Sequence, residues 1–389
     1  MATFFLHIGM HKTGTTAVQT FFHRSRPLLR EAGIEYPAFA KSNHTSALSG
    51  LFADPRKSGD PGPITGQIKA ERQKLLTAFA NLLKAMRGEG LDMLMSGEGV
   101  SLFRPVELAA LRDFVSPPYE NIVVLGLVRP PLAFARSAAQ QRIKGGVTFS
   151  TFRRQPPIPQ YHRRFAPPVT VFGRPNVRLA PYHRSTLIDG DALQSLFALM
   201  GVSDPALAEA RAGIANKAVS LTAAKIISAI GDSVALGHAV PSLPAPIRER
   251  LDDPHIRALH GDYTTSVADH TGERALLMSL LLDIPGPRFS LPREILEDVA
   301  KSSVTDAAWL LKNFDIDVLA LDEAIGDAPP MEAMHHFDAA EIDAVTAAFD
   351  TYIESDDPGA MLENATRRFN KRSHALAKRS LRGLRRRSR

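Results

Sequence analysis

The chain has 389 residues, 44% of them hydrophobic and 23% charged, and no cysteine. That supply of apolar residues excludes a chain disordered throughout, and the missing thiols exclude disulfides, thiolate metal sites and cysteine nucleophiles, which fits a reducing compartment. The net charge of +6 suggests anionic partners, but residues 371–389 (KRSHALAKRSLRGLRRRSR) hold nine Lys or Arg and no acid, so the rest of the chain stands at −3 and the basicity belongs to a tail.

The chain opens with TFFLHI, an apolar run bounded by Gly9 that predicts a strand. No basic leader precedes it and no apolar stretch is long enough to span a membrane, so the expected compartment is the cytoplasm. From Thr15 to about Phe22, residues Ala17, Val18, Phe21 and Phe22 share one helical face, giving strand, glycine loop, helix. LDMLMSGE and NIVVLGLVR are apolar runs of the kind buried on both faces of a parallel sheet, each followed by a helix starting at or near Pro105 or Pro130. The proline-, arginine- and aromatic-rich stretch 152–181 reads as a long surface loop. NVRLAPY is a fourth strand, and DGDALQSLFALMGV a helix with an acidic start and Gly201 at its end.

Strand signals fade after about Ala206, where LTAAKIISAIGDSVALG, REILEDVAKSSVTDAAWLLKNF and DAAEIDAVTAAFDTYI all read as helices, with GDAPPM at 326–331 a linker. The expected fold class is α/β, a parallel sheet flanked by helices with a helical C-terminal portion. Its expected parts are an α/β core over 1–205, helices over 206–330, and terminal helices with the basic tail over 331–389.

Chemistry concentrates at HIGMHKTGTT, residues 7–16. Gly9 and Gly14 have the phosphate-loop spacing and Thr16 stands at the loop's Ser/Thr position, but Thr15 replaces the lysine, and Lys12 lies three residues earlier. Successive N–H groups at a helix start, with hydroxyls from Thr13, Thr15 and Thr16, suit an anion. A lysine before the second glycine suits the bridging oxygen of a group being transferred better than terminal phosphates. A glycine turn with an exposed lysine is the plainer alternative.

HKTGTT resembles the 5′-phosphosulfate loop, P-K-[ST]-G-T-T, of sulfotransferases that use 3′-phosphoadenosine 5′-phosphosulfate (PAPS), with His11 for the usual proline and Ala17 for a tryptophan found in many members. LVRPPLAFARSAAQQ resembles the same family's 3′-phosphate motif, an Arg at a strand end and a Ser eight residues on, here Arg129 and Ser137. The resemblance covers about the first two hundred residues, and the late basic R-K-G segment of cytosolic members has no counterpart. It implies a P-loop-like fold, PAPS as co-substrate, no bound metal, Lys12 on the sulfate-bridging oxygen, and His11 and Thr13, Gly14, Thr15 and Thr16 around the 5′-phosphate. Arg129 and Ser137 would hold the 3′-phosphate.

Transfer to a hydroxyl or amine also needs a base. Glu98, after a buried strand, ranks ahead of His44, in a loop after the first helix, and then His11, whose protonation Lys12 disfavours. Ser96 orients rather than reacts, and His7 is a satisfied core histidine. The expected acceptor is a carbohydrate or glycolipid, with a phenol or alcohol open.

Two other readings stand beside this one. A kinase or other nucleotide triphosphatase is suggested by DVLALDEA (317–324), which imitates a metal-carboxylate strand with Asp322 and Glu323. A nucleotide-binding protein held on anionic surfaces by its tail is the other. The tail, with Leu381 and Leu384, suits peripheral attachment to the inner membrane face, and no aromatic interleaving marks a specific nucleic-acid partner.

Overall fold

The computed structural model describes residues 2–39, 41–54, 66–212, 218–236, 243–256, 277, 280–355, 357 and 360. In chain order it contains β1 (Thr3–His7), α1 (Thr15–Arg24), α2 (Arg26–Glu31), β2 (Ile34–Glu35), α3 (Thr45–Phe52), α4 (Gly66–Gly88), β3 (Asp92–Ser96), α5 (Pro105–Val115), β4 (Asn121–Val128) and α6 (Pro131–Lys144). There follow α7 (Phe149–Arg154), α8 (Tyr161–Phe172), β5 (Val177–Pro181), α9 (Ala192–Met200), α10 (Pro205–Ala208), α11 (Leu221–Leu236), α12 (Ala245–Leu251), α13 (Arg293–Phe314) and α14 (Ala339–Ile353). The chain divides into two compact units: Met1–Ala133, Pro159–Ala215 and Ser302–Glu323 form one, and Phe134–Ile158, Asn216–Lys301 and Ala324–Arg389 the other.

The first unit is α/β. Its five strands lie in the order β2-β3-β1-β4-β5 and every adjacent pair is parallel. β1 is buried along its whole length, as a central strand covered on both faces must be, which is why its sequence reads as a continuous apolar run. Side chains of β1, β3 and β4 such as Phe5, Leu94 and Leu125 pack with Val18 and Phe22 of α1 and Leu193 of α9 in one core. In register, His7 at the end of β1 sits between Ser96 of β3 and Leu125 of β4. The chain leaves β1 toward β3 and leaves β4 toward β5. The carboxyl ends of β1 and β4 therefore flank the crevice where an open parallel sheet binds ligands.

The four expected strands are β1, β3, β4 and β5, and the helix after the fourth is α9, with the Asp191 side chain accepting from Leu193 N and Gly201 in the left-handed region at its end. The stretch expected as a loop over 152–181 is instead mostly ordered elements. α8 runs through Pro167 and Pro168, and it persists because Tyr161, Arg164, Phe165, Pro168 and Phe172 form a buried stripe at helical spacing. Its first amides, those of Tyr161 and His162, are capped by the carboxylate of Asp306, from a distant part of the chain. DVLALDEA contains no strand: 317–324 is turn and irregular backbone.

The second unit is helical among the described residues. The first turn of α7 is tied down where Phe149 N donates to Ser228 Oγ of α11 at 2.8 Å. Lys225 of α11 is buried in an ion pair with Glu341 of α14, and Thr222 donates to the same carboxylate at 3.2 Å, so the buried charge is fully partnered. Arg250 of α12 bonds Asp350 of α14 in bidentate fashion, at 2.9 and 3.2 Å. Among the described residues no helix is long and apolar enough to cross a membrane. The basic segment 371–389 lies outside the described residues.

Candidate functional site

β1 ends at His7, and the loop that follows must turn sharply into α1. It does so with two residues in the left-handed region, Lys12 (φ 71°) and Gly14 (φ 72°). For Gly14 this is free, but for a lysine it is strained and persists only where neighbours enforce it. Two hydrogen bonds do so: Arg129 Nη1 donates to Lys12 O at 2.6 Å, and Thr13 Oγ1 donates to Met10 O at 2.8 Å. Gly9 serves a different purpose, because a Cβ there would stand 2.8 Å from His7 Nε2 and 3.1 Å from Thr15 Cγ2.

The resulting loop presents donors. Among the described residues, the backbone N–H groups of Thr13, Gly14, Thr15 and Thr16 have no acceptor, and Lys12 Nζ forms no hydrogen bond or ion pair. Unpaired amides at a helix start with an ammonium alongside make an anion cradle. The hydroxyls contribute less than the sequence suggests. Thr13 is buried with its hydroxyl bonded inside the loop, Thr15 Oγ1 donates to Glu98 Oε2 at 2.6 Å, and only Thr16 is exposed. Desolvation and the charge of Arg129 push the Lys12 ammonium below its usual pKa, and Glu98 opposes them.

Glu98 opens a short 3-10 turn after β3. The turn is fixed by Gly97 N donating to His7 O at 2.9 Å, Gly99 N donating to Thr45 Oγ1 at 3.1 Å, and Ser101 Oγ donating to Glu98 O at 2.8 Å. Arg164, buried on α8, donates Nη1 to Ser101 Oγ at 3.0 Å and Nε to Pro159 O at 2.8 Å. His11 Nδ1 lies 3.4 Å from Glu98 Oε2. Burial raises the Glu98 pKa, but the His11 ring, the Thr15 hydroxyl and His7 together outweigh it and leave the carboxyl below its ordinary range.

His44 does not face this site. It is fully buried, stacked on Tyr36 with ring centroids 4.4 Å apart, and its Nδ1 accepts from Ser96 N at 3.3 Å while its own N donates to Ser96 O at 2.8 Å. Burial pushes its pKa down to about 4. A candidate base in the sequence is thus a brace for the strand end that carries Glu98, because the loop before α3 folds inward rather than outward. His7 is also buried at a pKa of about 4, and like His44 it is half satisfied: Nδ1 meets Ser96 Oγ at 2.8 Å, and Nε2 has no partner among the described residues. Ser96 Oγ also accepts from Gln19 Nε2 at 3.1 Å, so this hydroxyl orients others, as expected.

At the end of β4, Arg129 lies with its guanidinium 5.4 Å from the Tyr182 ring, and its carbonyl accepts from Tyr161. Burial lowers its pKa, with Tyr182, Glu323 and Asp322 opposing. Asp322 also caps α6: Leu132 N and Ala133 N donate to its carboxylate at 2.7 and 3.3 Å. The residue that imitates a metal ligand in the sequence therefore serves as a helix cap. Ser137 lies on α6 and is half-buried, and it belongs to the second unit.

The structure thus brings together His11, Lys12, Thr13, Gly14, Thr15, Thr16, Glu98 and Arg129 in one unit and removes His44 from the surface. The sequence missed Tyr182, Arg164 and Thr45. Tyr182 closes NVRLAPY, and the strand-end rule that singled out Glu98 and Arg129 would also have marked it. Arg164 and Thr45 carry no sequence signal. Comparison with protein-family models, curated proteins and solved structures finds no match for this chain.

Proposed function

We propose that this protein is a sulfotransferase of P-loop-like fold that moves the sulfuryl group of PAPS to a hydroxyl or amine, a carbohydrate or glycolipid being the favoured acceptor. The observation that carries this reading is the bond from Arg129 to the Lys12 carbonyl, which sets two cations and four unpaired amides at the ends of adjacent strands. A nucleotide with phosphates at both ends needs two cationic stations of this kind. The amides of Thr13 to Thr16 receive the 5′-phosphate and Arg129 the 3′-phosphate. The assignment of Ser137 to the 3′-phosphate rests on the sequence motif alone.

The Lys12 ammonium, without a partner among the described residues, neutralises the bridging oxygen as the S–O bond breaks. Glu98 supplies the carboxylate on the acceptor side, and no metal is required for this chemistry. A kinase or nucleotide triphosphatase would want a lysine after Gly14, where the chain has Thr15 with its hydroxyl turned to Glu98. The proposed compartment is the cytoplasm, with the basic tail on an anionic membrane surface.

Calorimetric titration with 3′-phosphoadenosine 5′-phosphate against ATP·Mg²⁺ tests the reading. The first ligand binds more tightly, and Arg129→Ala weakens it by about tenfold to a hundredfold, the loss of a charge-assisted contact of roughly 1.5–3 kcal/mol. Tighter binding of ATP·Mg²⁺, or an Arg129→Ala variant with unchanged affinity, refutes it.

A further inference from the structure

We infer that the proton of the acceptor goes to His11 Nε2, and that Glu98 is the positioning partner that holds the His11 ring. This rests on the sulfuryl-transfer reading and assigns its base. Glu98 Oε2 already accepts from Thr15 at 2.6 Å and faces His11 Nδ1 at 3.4 Å. His11 Nδ1 is shut off from solvent, yet the side chain as a whole is 41% exposed against 25% for Glu98. The open part of the ring is therefore its Nε2 edge.

A carboxylate beside the shielded nitrogen holds the proton on Nδ1 and leaves the Nε2 lone pair facing outward, the logic by which an acid orients a catalytic histidine. The separation of 3.4 Å is long for a hydrogen bond and shortens when substrates close the site. The charged groups around the ring are Lys12 in the same loop and Glu98 after β3, with His7 at the end of β1 also acting on Glu98. In the transfer step the acceptor O–H gives its proton to Nε2 and the oxygen lone pair bonds to sulfur. The S–O bridge then breaks, and its electron pair stays on the 5′-phosphate oxygen beside Lys12. The imidazolium afterwards releases its proton to solvent.

The first test needs no acceptor. In ¹⁵N spectra of histidine-labelled protein, neutral His11 is the Nδ1–H tautomer in the wild type and shifts toward Nε2–H in Glu98→Gln. A wild-type Nε2–H tautomer overturns the inference. The second test is single-turnover PAPS cleavage with water as acceptor. His11→Ala slows cleavage by about 10²–10⁴-fold and is rescued by added imidazole. If wild type cleaves PAPS and His11→Ala does so equally well, or if only Glu98→Gln is impaired, Glu98 itself is the base and this inference fails while sulfuryl transfer stands. If wild type neither binds the nucleotide nor cleaves PAPS, the sulfuryl-transfer reading has failed first.

Discussion

Acid should loosen the first unit well before its carboxylates titrate, and the reason lies in two histidines. His7 and His44 are both buried and both have folded pKa values of about 4, against an ordinary 6.5. The unfolded chain therefore binds their protons more readily than the folded one, and stability must rise with pH between about 4 and 6.5. Above 6.5 both states are neutral and the full stability is present. As pH falls to 5, each histidine removes about 2 kcal/mol, and by pH 4 the loss approaches roughly 3 kcal/mol for each. Urea unfolding at pH 8, 6 and 5, followed by fluorescence, measures the decline. His44→Asn supplies the control, because the amide can still accept from Ser96 N while it carries no proton to gain. Wild type should lose about 2 kcal/mol more than His44→Asn between pH 8 and pH 5. Equal slopes for the two proteins, or a histidine signal from His44 titrating near its ordinary pKa, would refute the reasoning.

Two further substitutions probe the strand ends. Lys12→Asn should leave stability unchanged or raised by up to about 1 kcal/mol in thermal unfolding, since asparagine tolerates the left-handed backbone better, while PAPS cleavage falls by at least about a hundredfold. A clear loss of stability would mean that the lysine side chain, not the backbone, shapes the loop. Asp322→Ala strips the acceptor from the first amides of α6 and should cost about 1 kcal/mol, detectable as earlier exchange of the Leu132 and Ala133 amides; unchanged protection would rule out the cap.

Much of the sheet was legible because strands covered on both faces must be apolar throughout: β1, β3 and β4 announce themselves in this way, whereas β5, at the sheet edge, is buried only at Val177. β2 did not, being two residues long, with no pattern to read. α8 was hidden by Pro167 and Pro168, whose breaking tendency is local, whereas the burial that overrides it and the Asp306 cap are tertiary. At the candidate site the loop residues, Glu98 and Arg129 could be named from spacing and from strand ends. His44 misled because a histidine in a polar segment looks exposed, and only the packing of Tyr36 and Ser96 shows otherwise. Asp322 misled in the same way: the chemistry of LDEA is visible in the sequence, but the helix start that claims it lies 190 residues away.

The grip of Arg129 on the Lys12 carbonyl makes the two strand ends a single lever. Whatever draws the guanidinium toward itself also tugs the backbone from which the ammonium hangs, so occupancy at one end must be felt at the other. A nucleotide trimmed of either terminal group should then bind worse than simple addition of its remaining parts would forecast.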